Sequence, residues 1–357
     1  MPAPAVLVDS LQSVHVTSSS GLASGFQLTF TTAKRSPLNQ VLLPTGLLDP
    51  KTRVVVVAVV AGTPHVLMDG VITRQEMNPG QNPGSSTLTL TGEDLSLLMD
   101  LKHVERCYPG VPHHLRAVLV CAGYAQYGVV PLAVPPVISD LPNPAVTIPV
   151  QSATDLAYLR SMATDVGYVF FIEPGPAPGA SIAYWGPEVR AGLPQPALTV
   201  DSGTATNVES LSFGFDGLSR KQYTARLIEP VTKAELDVPI PDVSLLHPPL
   251  ALRPAVALRE QPLDAQTGRS ATETMLWGLS RTSEAADAVT GHGQLDVLRY
   301  GHVLSARRLV GVRGAGLAYD GLYYVRSVTH DIARGRYKQS FTLTRDGLVA
   351  NIPAVIP

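Results

Sequence analysis

The residues best suited to chemistry in this 357-residue chain are His103, Cys107, His113, His114 and Cys121. Imidazole and thiolate are zinc ligands, but no pair among the five has the tight Cys-x-x-Cys spacing that closes a structural zinc site. The spacing reads instead as a helical hairpin with partly buried thiols and surface histidines. Neither a metal nor another cofactor is expected. The two cysteines do not make a disulfide framework. His330 beside Asp331 has the types of a proton-transfer pair, yet the apolar alternation around it places the imidazole in a strand, making a local hydrogen bond. Gly311-Val312-Arg313-Gly314-Ala315-Gly316 matches neither phosphate-binding spacing, and it lies between two strand patterns with no helix N-terminus for a phosphate. The Gly-x-Ser-x-Gly elbow of the usual hydrolase nucleophile is missing. Carboxylates are plentiful, and only a pair assembled in space would leave acid/base chemistry open. These motifs lean away from an enzyme.

Composition narrows the class. A formal net charge of -2 with 16% charged residues lacks the basic stripe that a nucleic-acid binder needs. Met1-Pro2-Ala3-Pro4 has no basic leader region, and the longest apolar run, Arg53 to Val60, is the length of a strand rather than of a membrane span. The expectation is a soluble protein without a signal peptide, made in the bacterial cytoplasm and exported only by lysis or packaging.

The elements that must position these residues are mainly strands. Phe26, Leu28 and Phe30 alternate with Gln27, Thr29 and Thr31, which predicts a half-buried strand opening near Gly25. The continuous β-branched run Val54 to Val60 predicts a strand covered on both faces. A strand over His65 to Met77, interrupted at Asp69-Gly70, a proline- and glycine-rich turn and a threonine-rich strand follow. Helices are predicted over Glu93 to Leu101 and His114 to Tyr124, and Pro131 to Pro149 should be extended. Ser152-Ala153-Thr154-Asp155 reads as a capping box for a helix stopped by Gly167, before strands at Tyr168 to Ile172 and Ser181 to Trp185. Strand signals resume over Val208 to Phe215 and Lys221 to Leu227. Pro230 to Pro262 reads as an extended surface excursion. A helix opening at Ser270-Ala271-Thr272-Glu273 should run toward Val289 and break at Gly291-His292-Gly293. Val303 to Val312, Leu322 to Ile332 with a bulge, and Tyr337 to Arg345 complete the strands.

Two of these stretches echo one another. Asp69-Gly70-Val71-Ile72 leads to Thr87-Leu88-Thr89-Leu90-Thr91, and Asp320-Gly321-Leu322-Tyr323 leads to Phe341-Thr342-Leu343-Thr344. Each is an Asp-Gly turn, a strand, a polar turn and a returning strand with one apolar and one hydroxyl face. The fold class expected is α+β, mainly β: two tube-type β-barrel domains joined by small helical and α+β insertions. The boundaries expected are 1–105 for the first barrel, 106–200 for the insertion and 201–357 for the second barrel with its excursion.

The order of motifs resembles the phage late control gene D and tail-hub family, the baseplate hub of contractile tails and of type VI and extracellular injection particles. The fragments that carry the resemblance are Asp69-Gly70-Val71-Ile72-Thr73, Leu88 to Leu95 with Leu98, Gln151 to Leu159, Gly167-Tyr168-Val169-Phe170, Arg299-Tyr300-Gly301-His302 and Asp320 to Val325 with Val328, His330 and Phe341-Thr342-Leu343. The resemblance implies a non-enzymatic homotrimer whose two modules per chain present six similar units to a six-fold inner tube protein, and whose other face receives a three-fold spike. It implies other baseplate components as partners and assembly into a tail-like particle. The chain ends soon after the second module, so the spike and any wall-cutting activity are expected in separate proteins. Within that reading the solvated strand faces, with Thr87, Thr89, Thr91, Lys338, Thr342 and Thr344, line a wet lumen, and the apolar segment Leu245 to Leu252 packs on a neighbouring chain. Two alternatives stay open from sequence: a cell-wall or polysaccharide hydrolase with a β-rich binding module, and a distal tail tip protein of a non-contractile tail.

Overall fold

The computed structural model describes residues 3–21, 23–82, 85–136, 142, 144–145, 148–228, 235–238, 240–241, 248–263 and 271–352. Helix α1 (Ala5–Ser10) leads into β1 (Leu11–Ser19), β2 (Gly25–Thr32), β3 (Arg53–Val60), β4 (Thr63–Asn78) and β5 (Ser86–Asp94). Next come β6 (His103–Cys107), α2 (His113–Ala122), β7 (Val129–Ala133), β8 (Val150–Thr154), α3 (Asp155–Asp165), β9 (Val169–Pro174) and β10 (Ser181–Gly186). The chain continues through β11 (Gln195–Thr199), β12 (Ser210–Phe215), β13 (Lys221–Ile228), β14 (Glu235–Val238), β15 (Ala251–Pro254) and β16 (Arg259–Pro262). It closes with α4 (Ala271–Glu284), β17 (Val289–Asp296), α5 (Val297–Tyr300), β18 (Leu309–Arg313), β19 (Gly321–Ala333), β20 (Arg336–Arg345) and β21 (Gly347–Ala350). The fold is mainly β, as expected.

One eleven-stranded sheet dominates, in the order β12-β17-β20-β19-β1-β2-β5-β4-β3, with β18 on β19 and β11 on β18. It draws on both ends of the chain, because β1 pairs antiparallel with β19 from Ser13↔Ala333 to Ser19↔Ser327. Strand β1 was not anticipated: the sequence reading opened this region at Gly25. Its Val14 and Val16 join Phe26, Leu28, Phe30, Leu88, Leu90, Val325, Val328, Phe341 and Leu343 in one apolar core. That core buries the alternating residues of both echoing segments together. Strand β11 falls within the expected insertion, yet pairs in this sheet through β18.

A second apolar core forms around Leu95, Val120, Leu156, Leu159, Phe170 and Trp185, and takes in Val71 of β4. The three-stranded sheet β7-β10-β9 and helices α2 and α3 enclose it. Helix α3 starts two residues later than the capping box implied: Thr154 is the N-cap and accepts from the Ala157 N–H at 3.2 Å. Gly167 follows α3 at φ 73°, the left-handed turn that ends a helix.

Several other expectations change. Asp69-Gly70 is not a turn; both residues lie inside the continuous β4. The Asp69 carboxylate is buried there against Arg53, at 2.7 and 2.6 Å. A Cβ on Gly70 would strike the Glu93 carbonyl. Glu93 and Asp94 finish β5, and Asp94 caps a 3-10 turn over Leu95–Met99 in place of the predicted helix. Helix α4 ends at Glu284, and Gly291-His292-Gly293 sits within β17 rather than breaking a helix. The glycines are there because the Phe213 ring and the Phe341 ring occupy the space their Cβ atoms would need. Of the predicted strand over Val303 to Val312, only the part in β18 forms. The excursion contains paired strands: β14 and β16 flank β13, and β15 pairs with β21. Leu245, part of the segment expected to pack on a neighbouring chain, and Ser270, which opened the second capping box, lie outside the described residues.

The run Val54 to Val60 is also not covered on both faces. Val54, Val56 and Ala58 pack on the core with buried Val60, but Val57 is 41% and Val59 69% exposed. β3 is also the end strand of the sheet.

Candidate assembly surface

Strict alternation gives the large sheet one dry and one wet face. Cross-strand register aligns the wet face into rows. One row runs Arg74, Thr91, Gln27, His15, Asp331, Lys338, Asp296 across seven strands. Beside it run Glu76, Thr89, Thr29, Ser13, Ala333 and Arg336. On the other side lie Thr17, Thr329, Ser340, Gln294 and Ser210, then Ser19, Ser327, Thr342, His292 and Ser212. Polar side chains therefore continue from the first echoing segment into the second, hydroxyls alternating with charged and amide groups.

Neighbours on this face are lightly tied. The Thr17 and Thr329 hydroxyls sit 3.1 Å apart, and Thr342 Oγ1 lies 3.3 Å from His292 Nδ1. Lys338 Nζ donates to Glu209 at 2.8 Å, and Arg336 donates to Asp331 at 2.9 Å. Thr91 is exposed, and Thr87, Thr89, Lys338 and Thr342 are half-buried. Thr344 departs from its group at 1% exposure, with its Oγ1 unpartnered among the described residues. The bulge between Val325 and Ser327 brings buried Tyr324 opposite Thr344, which takes that hydroxyl out of solvent. Thr344 is therefore no part of the wet surface in this chain.

His330 points the other way, into the core opposite Val16. Its Nδ1 lies 2.8 Å from Tyr337 Oη and 3.2 Å from Gln339 Nε2, and the Gln339 amide brackets Leu304 through both its N–H and C=O. Burial, with a smaller push from His15, lowers the His330 pKa to about 4. The imidazole is thus a neutral member of a buried network, the local hydrogen bonding read from the sequence. Gly314 and Gly316, at φ 87° and 91°, form a turn after β18 in which Ala315 N donates to Asp320.

The five histidines and cysteines do not converge: among the described residues no three His, Cys, Asp or Glu side chains are grouped to hold a metal ion. Cys107 is exposed on β6 and Cys121 is buried on α2. Burial and then Asp155 push the Cys121 thiol up to about 12, so it is not a nucleophile near neutral pH.

Sequence reasoning gave no sign of the buried polar cluster at the joint between insertion and sheet, beside the apolar contact made by Val71. Arg190 donates to Asp287 at 2.5 and 2.9 Å and to Glu188 at 2.8 and 3.1 Å, and stacks on Tyr324 with its guanidinium carbon 5.1 Å from the ring centroid. Ser20 Oγ donates to the other Glu188 oxygen at 2.5 Å. Burial pulls the Arg190 pKa down, but Asp287 and Glu188 outweigh it and hold the guanidinium above its ordinary value. Arg307, lowered chiefly by burial, reaches the Ser19 carbonyl at 2.6 Å and covers the Phe171 ring at 4.0 Å. Asp69 also accepts from Ser181 of the insertion at 3.1 Å.

No protein-family model matches this sequence. No curated protein matches it either. Solved structures do. A tail protein from Neisseria meningitidis MC58 is 16% identical with a TM-score of 0.62, covering 95% of this chain and 93% of its own. The 43 kDa tail protein of prophage MuSo2 from Shewanella oneidensis is 12% identical with a TM-score of 0.62, covering 95% of each chain. An E. coli component of the type VI secretion system, itself structurally similar to bacteriophage T4 tail proteins, is 12% identical with a TM-score of 0.60, covering 98% of this chain and 77% of its own. At these identities the likeness is one of architecture, and this chain shares its fold with these phage tail proteins and the type VI secretion component.

Proposed function

We propose that the chain is a non-enzymatic baseplate hub of a contractile, phage-tail-like injection system. Three copies form a ring that adapts a six-fold inner tube to a three-fold spike. The observation that carries this reading is the single sheet that merges both ends of the chain and presents one polar face across them. Such a surface suits a wet channel wall: it is lined by hydroxyl, amide and charged side chains of both signs. Thr87, Thr89, Thr91, Lys338 and Thr342 face that channel in this reading, and Thr344 does not. The fold likeness, which spans nearly the whole chain, supports the same class of role.

The test is purification of tail-like particles from a strain carrying an epitope-tagged copy at the native locus, with electron microscopy of the assembled baseplate. The chain is expected as a three-fold ring between tube and spike. Its absence from the particles, or turnover of peptidoglycan by the purified chain, overturns the reading.

A further inference from the structure

The strand ends along one rim of the large sheet collect cations that the chain itself leaves unanswered. Register fixes which ends meet there. Leu11 opens β1 opposite Phe30 of β2, Thr32 ends β2 opposite Ser86, and the β19–β20 turn follows the Ser13↔Ala333 pair. Strand β17 finishes at the same rim, its Asp296 opposite Lys338 of β20. The turn after β2 carries Lys34 and Arg35, the β19–β20 turn carries Arg334, and α5 carries Arg299. All four side chains belong to exposed residues. The Thr31 hydroxyl donates to the Ser10 carbonyl and Arg334 donates to the Asp9 carbonyl, so the first two turns flank the same two residues.

None of the four has a carboxylate partner among the described residues, and the carboxylates placed nearby by register are engaged elsewhere. Asp331 accepts from Arg336, Glu209 from Lys338 and Glu76 from Arg74. Asp296 caps α5 through the Leu298 and Arg299 N–H groups. That leaves exposed Asp9 among four cations. The whole chain carries a formal net charge of -2, so this excess is local and not compositional. Like charges gathered on one rim repel, at a cost that is recovered when a surface of opposite sign docks and that speeds the encounter.

Apolar side chains are interspersed with these cations. Leu298 is 72% exposed beside Arg299, and Val8 of α1, which packs on β2, is 58% exposed beside Asp9. Arginine mixed with exposed aliphatic groups is the make-up of a protein interface. A groove for single-stranded nucleic acid needs aromatic rings for its bases, and none stands exposed among these residues.

We propose that this rim docks an acidic protein surface, with Lys34, Arg35, Arg299 and Arg334 meeting its carboxylates and Val8 and Leu298 its apolar side chains. The inference goes beyond the hub reading and does not depend on it.

A fluorescently labelled oligoglutamate peptide is the probe, titrated with the full chain at low and at physiological salt. Binding is expected, weakening as salt rises. The triple variant Lys34→Glu, Arg35→Glu, Arg334→Glu should weaken it at least about tenfold, and Arg226→Glu, Arg253→Glu, Arg259→Glu, exposed on β13, β15 and β16, by less than about twofold. Both variants should melt close to the parent, since every changed side chain is exposed. Equal loss in the two triples reduces the effect to net charge and overturns the proposal. So does absence of binding by the parent, or tighter binding of a labelled oligothymidylate than of oligoglutamate. A second arm treats purified tail-like particles with a carbodiimide, which joins amines to carboxylates in contact. Lys34 should be recovered linked to an aspartate or glutamate of a different protein; a Lys34 that stays unlinked in particles containing the chain overturns the docking. Particles that lack the chain remove the hub reading instead, and the peptide titration still decides the rim.

Discussion

Two seams hold this molecule together, and they are built on opposite principles. The seam inside the sheet, where β1 meets β19, is a backbone ladder laid over a shared apolar core. The seam between sheet and insertion adds to the apolar contact at Val71 a buried ionic cluster of Arg190, Glu188 and Asp287, with Ser20 and Arg307 beside it. An apolar seam gains from contact area and tolerates small shifts. A buried ionic seam gains little net energy, because desolvation offsets most of the attraction, but it demands fixed partners in a fixed geometry. The contrast implies that the sheet seam supplies stability while the insertion seam supplies orientation.

The sharpest way to break that comparison is at Arg190. Arg190→Ala strands two buried carboxylates and should cost about 3–5 kcal/mol in urea unfolding. Replacing all three, with Glu188→Met, Arg190→Met and Asp287→Leu, should return the protein to within about 1 kcal/mol of wild type or above it. If the triple variant is as unstable as the single one, the seam is a source of stability and the contrast fails. On the sheet side, Leu343→Ala at a fully buried position should cost about 2–5 kcal/mol, and no second substitution of similar polarity should rescue it.

The sheet seam also contains one polar knot, which gives it a pH dependence. With its folded pKa near 4 against 6.5 for the free side chain, His330 is neutral when folded and takes up a proton on unfolding at intermediate pH. Its contribution is complete above about pH 6.5 and is lost as pH falls through 4, about 3 kcal/mol in full. Melting curves from pH 7.5 to 4.5 should show this slope, and His330→Gln should flatten it. A smaller loss is expected for Gly92→Ala, about 1–3 kcal/mol, because the new methyl would meet the Phe26 ring and the Val71 carbonyl. The smallest effect belongs to the wet face. Lys338→Ala removes a partly exposed pair with Glu209 and should change stability by about 0–1 kcal/mol.

The strand faces were legible because alternation is local. Phe26, Leu28, Phe30, Leu88, Leu90, Phe341 and Leu343 each lie on the predicted dry side. The bulge in β19 was legible too, from the broken alternation before Ile332. What escaped depended on distant neighbours. Gly291 and Gly293 read as helix breakers, since nothing nearby in sequence announces the Phe213 and Phe341 rings that require them. Thr344 fits its pattern and is still buried, because the residue opposite it is a tyrosine brought into place by a bulge in another strand. Asp69 and Asp94 sit where turn or capping residues belong; Asp94 does cap, whereas Asp69 is held inside a strand by Arg53 and Ser181. The ionic seam was illegible for the same reason, since Arg190 and Asp287 meet only after the fold has formed.

The pairing of β1 with β19 also sets the timetable of synthesis. Thr17 and Thr329 touch across a sequence separation of 312 residues. At about 5–20 residues per second a ribosome takes roughly 15–60 s between making one and the other. Throughout that interval the nascent chain holds β1 with one side unzipped, its core valines lacking their later cover, while the valine-rich β3 already emerges nearby. Premature meeting of two such unfinished chains is the hazard of this design, and it falls on the cell's chaperones during translation rather than on the finished protein.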